Sequence, residues 1–433
     1  MAAPPRLDAS VSAGVDTPAA SRGPFQRIGA ALHHRDFRVL WLGAGFSSVG
    51  TWMQSLAENW LVLTLTGSAF YLGLDAFLQQ LPILLFTLIG GVMADRHDRR
   101  RTLLASQYIQ MFSASVLALL LVTGTVHVWH ILALSFLTGC AQSFGGPAHQ
   151  ALIPSIVGKE HVTNAVALNS IQFNVARVIG PLLAGATLAG FKRAGVSEPS
   201  AMAVCFGLNA LSYLVVILAL LSLHVKHVAA ERAHSLFYEL RLGLSYVWHE
   251  PAVLALVALS GLTAFLGYPL LTLLPVFARD VFGQGVEGYS GLLAFSGAGA
   301  IVGALAVAWL GRYRRMGLVA LLVMTVFGTL VAGFAVSRQL WLSFALLFLA
   351  GSCLMVVSST LISLVQLTAP NEMRGRVMSI YLMAFRGGMP LGALASGSLA
   401  AATSATSALV VSGGLLALVA VGVLLKSERI RQL

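Results

Sequence analysis

The first apolar segment of the chain carries five polar side chains at helical spacing, Ser47, Thr51, Gln54, Ser55 and Glu58. At about 100° per residue in an α-helix, these five fall within a sector about 100° wide. A carboxyl group is not tolerated against lipid, so we expect this face to line the protein interior and to bind a proton or a polar substrate. Alternatively, Glu58 is neutral or paired and only supports the fold.

Two arginines, Arg177 and Arg386, also lie inside long apolar segments, and each precedes a proline by four positions, Pro181 and Pro390. One interpretation is that they bind anionic groups of a substrate, or that Arg177 pairs with Glu58. The other is that they bond backbone carbonyls that the prolines leave free. The sequence leaves both interpretations open.

Two more polar residues lie in apolar segments. Asn174, on the fifth segment, is a candidate for the substrate cavity. Asp75, near the start of the second segment, is interpreted as a solvated residue at the rim and not as part of a site.

The chain has no motif for enzyme chemistry or ATP binding. His249-Glu250 is followed by proline, which prevents an H-E-x-x-H helix, and neither G-x-S-x-G nor a Walker A run occurs. The basic residues form no continuous stripe of the kind that binds nucleic acid. Cysteines occur within apolar segments and are predicted to be packing residues, Cys140, Cys205 and Cys353. We therefore expect no enzyme, no metal or other cofactor, and no nucleic-acid partner.

Membrane helices must position these side chains. Hydrophobic residues make up 57% of the chain and charged residues 10%, against about 25% charged in soluble domains. The apolar runs are about 20–28 residues long, which suits helices that cross a bilayer and is too long for strands. The predicted fold is an all-α membrane protein with twelve spans, at 39–66, 71–94, 102–123, 127–147, 164–190, 201–223, 251–278, 288–310, 316–336, 340–366, 377–401 and 404–425.

The Lys and Arg residues predict the orientation and the even number of spans. Most of the 27 lie in the terminal segments and in alternate loops, whereas the other loops hold Lys192, Arg193, Arg279 and Arg338. Because basic residues are retained on the cytoplasmic side, both termini and a central loop at 224–250 are predicted to be cytoplasmic, in a bacterial inner (plasma) membrane. The tail at 1–24 is rich in Ala, Pro and Ser and is predicted to be disordered.

The chain also repeats short patterns between its two halves. Gln150-x-x-x-Pro154 recurs as Gln366-x-x-x-Pro370, and the Arg-x-x-x-Pro pattern described above occurs once in each half. With the loop charges, this predicts two pseudo-symmetric six-helix bundles that rock about a binding site near the middle of the membrane. The predicted bundles span residues 25–223 and 251–433.

The second predicted helix ends in the run Gly91-Val-Met-Ala-Asp95-Arg96-His97-Asp98-Arg99-Arg100. This run resembles the G-x-x-x-D-R-x-G-R-R signature of the major facilitator superfamily, with Asp98 in place of glycine. We expect Gly91 to allow close helix approach and Asp95 to latch one conformation by bonding a facing helix N-terminus. The arginines Arg96, Arg99 and Arg100 would complete the latch as solvated charges.

Runs near the start of the chain carry a second resemblance. They are Arg35-Asp36-Phe37-Arg38 with Leu40-Trp41, Thr51-Trp52-Met53-Gln54, Trp60-Leu61-Val62-Leu63 and Thr66-Gly67-Ser68. These runs resemble the branch of the superfamily that contains enterobactin exporters and macrolide-efflux proteins. The resemblance implies the two-bundle facilitator fold, no covalent cofactor and proton-coupled export.

The fifth apolar segment carries a partial match to the G-x-x-x-G-P-x-x-G-G element of facilitator exporters. The matching positions are Ala176, Gly180, Pro181, Ala184 and Gly185. The two alanines replace glycines of the element but keep small side chains, so close helix packing and a bend at the proline remain available. The resemblance favours export over import.

Together, these patterns predict a monomeric secondary active transporter. We expect it to export a small amphipathic molecule, such as a drug or a siderophore-like compound, in exchange for protons. Alternatives are an importer or uniporter of the same fold, and a facilitator-like membrane sensor that does not transport. Apolar pockets select by shape, so the residues do not identify the substrate.

Overall fold

The computed structural model describes residues 29–223, 236–311 and 315–433, and these residues are helical almost throughout. The predicted all-α membrane fold with two six-helix halves is confirmed. The first half contains α1 Arg35–Thr66, α2 Ala69–Arg96, α3 Arg99–Val122, α4 Val128–Val157, α5 Val162–Arg193 and α6 Glu198–Leu221. After α7, Leu236–His249, the second half contains α8 Pro251–Gly267, α9 Pro269–Val276, α10 Val286–Leu310, α11 Met316–Val336, α12 Leu340–Thr368, α13 Arg374–Ala402, α14 Ala405–Lys426 and α15 Glu428–Gln432.

Three features differ in detail from the predicted spans. Helix α4 continues about three turns beyond the predicted end at 147, with Pro147 and Pro154 inside it, because neighbouring helices in a membrane bundle can satisfy the backbone groups that proline frees. The seventh span is broken at Tyr268, between α8 and α9. Helix α7 lies within the segment predicted as the central loop, where Glu239 forms an ion pair with Arg376 at the start of α13. The predicted tail at 1–24 lies outside the described residues.

In the described chain, ten helical segments are long and apolar enough to cross a membrane. Helices α1 and α4 do not meet that criterion of composition, although they contain 32 and 30 residues. Both carry polar side chains in their middle, among them Gln54 and Glu58 on α1 and Gln142 on α4. Polar groups inside a membrane domain face the protein interior, so these two helices mark the wall of an internal site.

The bundle has two ends, which we name by their charges. The basic face is the end where α1 begins at Arg35, α3 begins at Arg99 and α14 ends at Lys426. The opposite face is the end where α1 ends at Thr66 and α4 begins at Val128. Because successive spans alternate in direction, the described beginning and end of the chain lie on the basic face.

The two halves meet closely at the opposite face. A Cβ atom added at Gly397 on α13 would lie 2.7 Å from the carbonyl oxygen of Ala69 on α2, and one at Gly73 would meet the carbonyl of Ala393. Only glycine permits this approach of two helix backbones. The α2–α13 contact therefore closes this end of the interface between the halves.

Two more contacts seal the same end. The hydroxyl of Ser290 on α10 donates to the carbonyl of Pro181 on α5 over 2.7 Å. The rings of Trp60 and Tyr289 stack with centroids 6.1 Å apart. At the basic face, by contrast, a Cβ at Gly91 would meet no atom within 4 Å. The two halves therefore touch at the opposite face and leave a cavity between them toward the basic face.

Candidate functional site

A cavity of about 520 Å³ lies between the halves on the side of the basic face. Its first-half wall carries four glutamines and a histidine, and its second-half wall is α13 with Leu382, Met383 and Arg386. The polar lining residues are Ser47, Ser48, Thr87, Ser106, Gln107, Gln110, Gln142, His149, Gln150, Ser379 and Arg386. Because Leu40, Ile83 and Leu84 complete the wall, the cavity suits a molecule with both polar and apolar parts.

The polar face predicted on α1 is divided between two environments. Ser47 lines the cavity. Thr51 exchanges a hydrogen bond of 3.2 Å with the hydroxyl of Tyr213 on α6, and Gln54 accepts one of 2.6 Å from Asn209 on the same helix. Ser55 is half-buried. The face therefore binds the core of the first half more than it lines the cavity.

Glu58 is buried in the first half, near the opposite face, with 5% of its surface exposed. Its Oε1 accepts a hydrogen bond of 2.6 Å from the hydroxyl of Ser135 on α4. Its Oε2 accepts one of 3.2 Å from the amide of Gln54, one turn earlier on α1. The carboxyl group is thus removed from both water and lipid, as the sequence predicted for an interior face.

The prediction that Asp75 is a solvated rim residue is wrong, because only 4% of it is exposed. It lies in the second turn of α2, where α4 and α13 cover the helix. Its carboxyl group interacts electrostatically with Glu58 and has Ser135 as a hydrogen-bonding neighbour, while its Oδ1 has no partner. The sequence analysis predicted solvent exposure from the short distance between Asp75 and the end of its helix. That distance does not show whether other helices cover the residue.

The pairing of Glu58 with Arg177 does not occur in this conformation. The guanidinium of Arg177 lies 5.9 Å from the centroid of the Trp52 ring, a cation–π contact. It also interacts with the phenol of Tyr268 at the break between α8 and α9, and so does Arg386 from α13. The matched arginines of the two halves thus both act electrostatically on one tyrosine, Tyr268.

Asn174, by contrast, makes only a local contact, donating to the carbonyl of Ser170 one turn earlier on α5. It is half-buried and does not line the cavity.

A row of polar side chains, most of them joined by hydrogen bonds, runs from the cavity to Glu58. In the cavity wall, Gln142 donates to Gln110 over 3.4 Å, and Gln110 accepts from Tyr213 over 3.3 Å. One turn before Tyr213 on α6, Asn209 donates to Gln54, and Gln54 donates to Glu58. Sequence analysis missed the α6 members because one asparagine and one tyrosine in an apolar span give no periodic signal.

The arginines that follow α2 are not the solvated charges that we expected. Arg99 donates to the carbonyl of Ala151 on α4 over 2.9 Å. Arg100 donates to the carbonyls of Leu220 and Leu221 over 2.6 and 2.7 Å, at the end of α6. Asp98 accepts hydrogen bonds from the backbone at the start of α3 and is its N-cap. The side chains of Asp95 and Arg96 lie outside the described part of the structure.

The small residues of the predicted exporter element form close helix contacts. Ala176 and Ala184 are buried. A Cβ at Gly180 would lie 2.5 Å from the Cβ of Trp52 on α1, and one at Gly185 would lie 2.5 Å from the hydroxyl oxygen of Ser290 on α10. Helix α5 therefore packs its small residues against both halves of the protein.

Comparisons with known proteins agree with this architecture. The family described as transmembrane secretion effector matches residues 28–432. A staphyloferrin A transporter of Staphylococcus aureus is 28% identical over 80% of this chain and 85% of its own. An enterobactin exporter of Salmonella typhi is 27% identical over 90% and 92%. A multidrug efflux pump of Mycolicibacterium fortuitum is 28% identical over 82% and 86%.

Solved structures share the fold at low sequence identity. A bacterial homologue of the lysosomal transporter Spinster, in an inward-facing and occupied conformation, superposes with a TM-score of 0.73 at 14% identity, over 92% of this chain and 97% of that one. A D-xylose–proton symporter gives 0.70 at 12% identity, over 91% and 98%. The chain belongs to the transmembrane secretion effector family of major facilitator transporters, in the branch of the enterobactin exporters and macrolide-efflux proteins.

Proposed function

We propose that this transporter, acting as a monomer in the bacterial inner membrane, exports a small amphipathic molecule in exchange for protons by alternating access. The main observation in support of the proposal is the row of polar side chains that connects the cavity with Glu58. The row leads from Gln110 in the cavity wall to the buried Glu58 through Tyr213, Asn209 and Gln54. A change in the charge of Glu58 thereby alters hydrogen bonds that reach the substrate cavity.

The cavity supports a small amphipathic substrate. Its volume, about 520 Å³, lies within the range of about 300–1,000 Å³ that is usual for small-molecule pockets. Its glutamines both donate and accept hydrogen bonds, and Arg386 adds a cation opposite them. These groups suit hydroxyl, carbonyl or carboxylate groups, while Leu382 and Met383 suit an apolar part.

The proposed direction of transport, export, is inferred from the names of relatives and from the distribution of Lys and Arg. Three of the relatives are named as an exporter, an efflux pump and an efflux protein. The basic face is the cytoplasmic one by the distribution of Lys and Arg. The open cavity then faces the cytoplasm, where an exporter loads its substrate.

Transport in everted membrane vesicles tests the proposal. With an acidic interior, the wild type is expected to accumulate a substrate found from a panel of siderophores, macrolides and cationic drugs, and collapsing the pH gradient should abolish accumulation. Glu58→Gln mimics the protonated acid and should still bind substrate but lose accumulation. Glu372→Gln, at an exposed acid between α12 and α13, is the control and should behave as the wild type. Accumulation by right-side-out vesicles only would show an importer instead, and full accumulation by Glu58→Gln would remove that residue from the coupling.

A further inference from the structure

Three polar side chains from three helices meet in the first half near the opposite face. They are Glu58 on α1, Asp75 on α2 and Ser135 on α4, with exposed fractions of 5%, 4% and 2%. The hydroxyl of Ser135 donates to Oε1 of Glu58 over 2.6 Å and also faces Asp75. The remaining oxygen of Asp75, Oδ1, is buried without a partner. Two buried carboxyl groups therefore lie beside one serine hydroxyl in a closed space.

The surrounding helices supply no counter-ion to this space among the described residues. On α6, the neighbouring groups are the neutral Tyr213 and Asn209, and Glu198 is bound to the indole of Trp60. On α5, Arg177 lies over Trp52 and forms no ion pair with either acid. Helix α13 brings backbone and small residues to α2, and α9 contains no charged residue.

Two ionised carboxylates in this setting would repel each other and would each lack the water that stabilises charge. One neutral and one ionised carboxyl group remove the repulsion. The arrangement therefore favours retention of a proton on one of the two acids.

The hydrogen bonds indicate which acid keeps the proton. A serine hydroxyl has one hydrogen to donate and can accept others. Ser135 donates its hydrogen to Glu58, so a hydrogen bond between Ser135 and Asp75 needs a hydrogen from Asp75. Protonated Asp75 can donate to Ser135, which donates to ionised Glu58. Its Oδ1 is then the carbonyl oxygen of a neutral acid, which costs less to bury without a partner than a charged oxygen.

We propose that Glu58, Ser135 and Asp75 form a single proton-binding unit, in which the conformation seen here holds one proton on Asp75. A second proton converts Glu58 to the neutral form and weakens its hydrogen bonds from Ser135 and Gln54. The assignment deepens the proton exchange proposed above and rests on it for its role in transport. The occupancy of the unit is a property of the protein alone and does not depend on a substrate.

The position of the unit fits access from the opposite face. The stack of Trp60 on Tyr289 and the bond from Arg279 to the carbonyl of Leu63 lie between the unit and that face. The link through Gln54 to Asn209 connects it to the cavity side. Opening the opposite face would let protons reach the acids, while the cavity faces the basic side only in the state described here.

Infrared difference spectroscopy of the purified full-length protein tests the occupancy. At neutral pH the wild type should show the carbonyl-stretch band of a protonated carboxyl group, and Asp75→Asn should abolish it. Glu58→Gln and Ser135→Ala should each shift the band, because each removes a partner of the Asp75 proton. Glu372→Gln, at an exposed acid far from the unit in the chain, should leave it unchanged. Persistence of the band in Asp75→Asn, or an unshifted band in both Glu58→Gln and Ser135→Ala, overturns the proposal.

Transport assays distinguish failure of this inference from failure of the proposed function. Asp75→Asn should retain substrate exchange without a pH gradient but lose gradient-driven accumulation, with a melting temperature close to that of the wild type. Gradient-driven accumulation by Asp75→Asn at the wild-type level would overturn its part in the coupling. If the wild type itself ignores the gradient, the proposed proton exchange fails, and the infrared bands still decide whether the two acids share a proton.

Discussion

The guanidinium of Arg279 donates a hydrogen bond of 3.0 Å to the backbone carbonyl of Leu63, from the second half of the protein to the end of α1. The same side chain is held by Asp280 through Nε and Nη2. The Leu63 carbonyl already accepts from the backbone N–H of Gly67 over 2.8 Å. A carbonyl in the last turn of a helix carries partial negative charge and can accept a second hydrogen bond, so an arginine suits it. The bond therefore joins the two halves across the closed opposite face.

Removing that bond should favour opening of the opposite face. For Arg279→Gln we expect a shift of about tenfold in the closed-to-open ratio, since a hydrogen bond to a charged group contributes about 1.5 kcal/mol or more. Spin labels at Val196 and Gln339, exposed residues of the two halves on this face, would report the shift as a longer distance. Arg193→Gln, an exposed arginine on the same face, is the control. Unchanged distances in Arg279→Gln would exclude a role in closure.

Two glycines of α2 should affect the conformational equilibrium in opposite directions. An added Cβ at Gly73 meets the carbonyl of Ala393 in the structure seen here, whereas one at Gly91 meets nothing within 4 Å. Gly73→Ala should disfavour the closed opposite face by about 1–3 kcal/mol, the usual cost of overpacking. Gly91→Ala should leave this conformation intact and hinder closure of the basic face. The spin-label distances of the two variants should move in opposite directions, and a common direction would contradict the assignment.

The bonds from Arg100 to the end of α6 predict that lysine cannot replace it. Its Nε and Nη2 reach two carbonyls at once, a geometry that a single ammonium group does not reproduce. Arg100→Lys should lower stability by about 1.5 kcal/mol, the contribution of one hydrogen bond to a charged group. The neighbouring Arg101 has 88% of its side chain exposed, so Arg101→Lys should melt as the wild type does. Thermal unfolding in detergent compares them, and equal losses in the two variants would refute the role of the carbonyl contacts.

The separation of Glu58 from Arg177 predicts that their substitutions act independently on stability. Groups that share an ion pair usually couple by about 0.5–3 kcal/mol, whereas groups without shared partners add to within about 0.5 kcal/mol. Glu58 bonds Ser135 and Gln54, while Arg177 contacts Trp52. The double variant Glu58→Ala/Arg177→Ala should therefore lose the sum of the two single losses in unfolding free energy. A double variant more stable than either single one would show that the pair exists after all.

The membrane spans were predictable because lipid imposes both their length and their apolarity. The ends of α11, Met316 and Val336, coincide with the predicted span. Helix α4 runs beyond its predicted end because helix packing tolerates Pro147 and Pro154, and such packing is not visible in a local pattern.

The candidate site was predictable only in part. A charged residue in an apolar run, such as Glu58, is a local signal that identifies an interior position. Its partners Ser135 and Asp75 come from other helices, and neither stands out within its own segment. Asn209 and Tyr213 lie between the cavity and Glu58. Their contacts with α1 likewise form only when α6 packs against α1, so the sequence of α6 alone does not reveal them.

The two halves differ in their buried ionisable groups although their folds are related. Among the described residues, the buried carboxyl groups, Glu58 and Asp75, belong to the first half, and the second half has none. Helix α13 contributes Leu382, Met383 and Arg386 to the cavity, remote from those acids. We therefore expect substitutions at Leu382 and Met383 to change which molecule the cavity accepts and to leave Glu58 and Asp75 in place. Under the proposed function, the same pair of acids in the first half would serve descendants with quite different substrates, as gene duplication and drift reshape the α13 wall of the cavity.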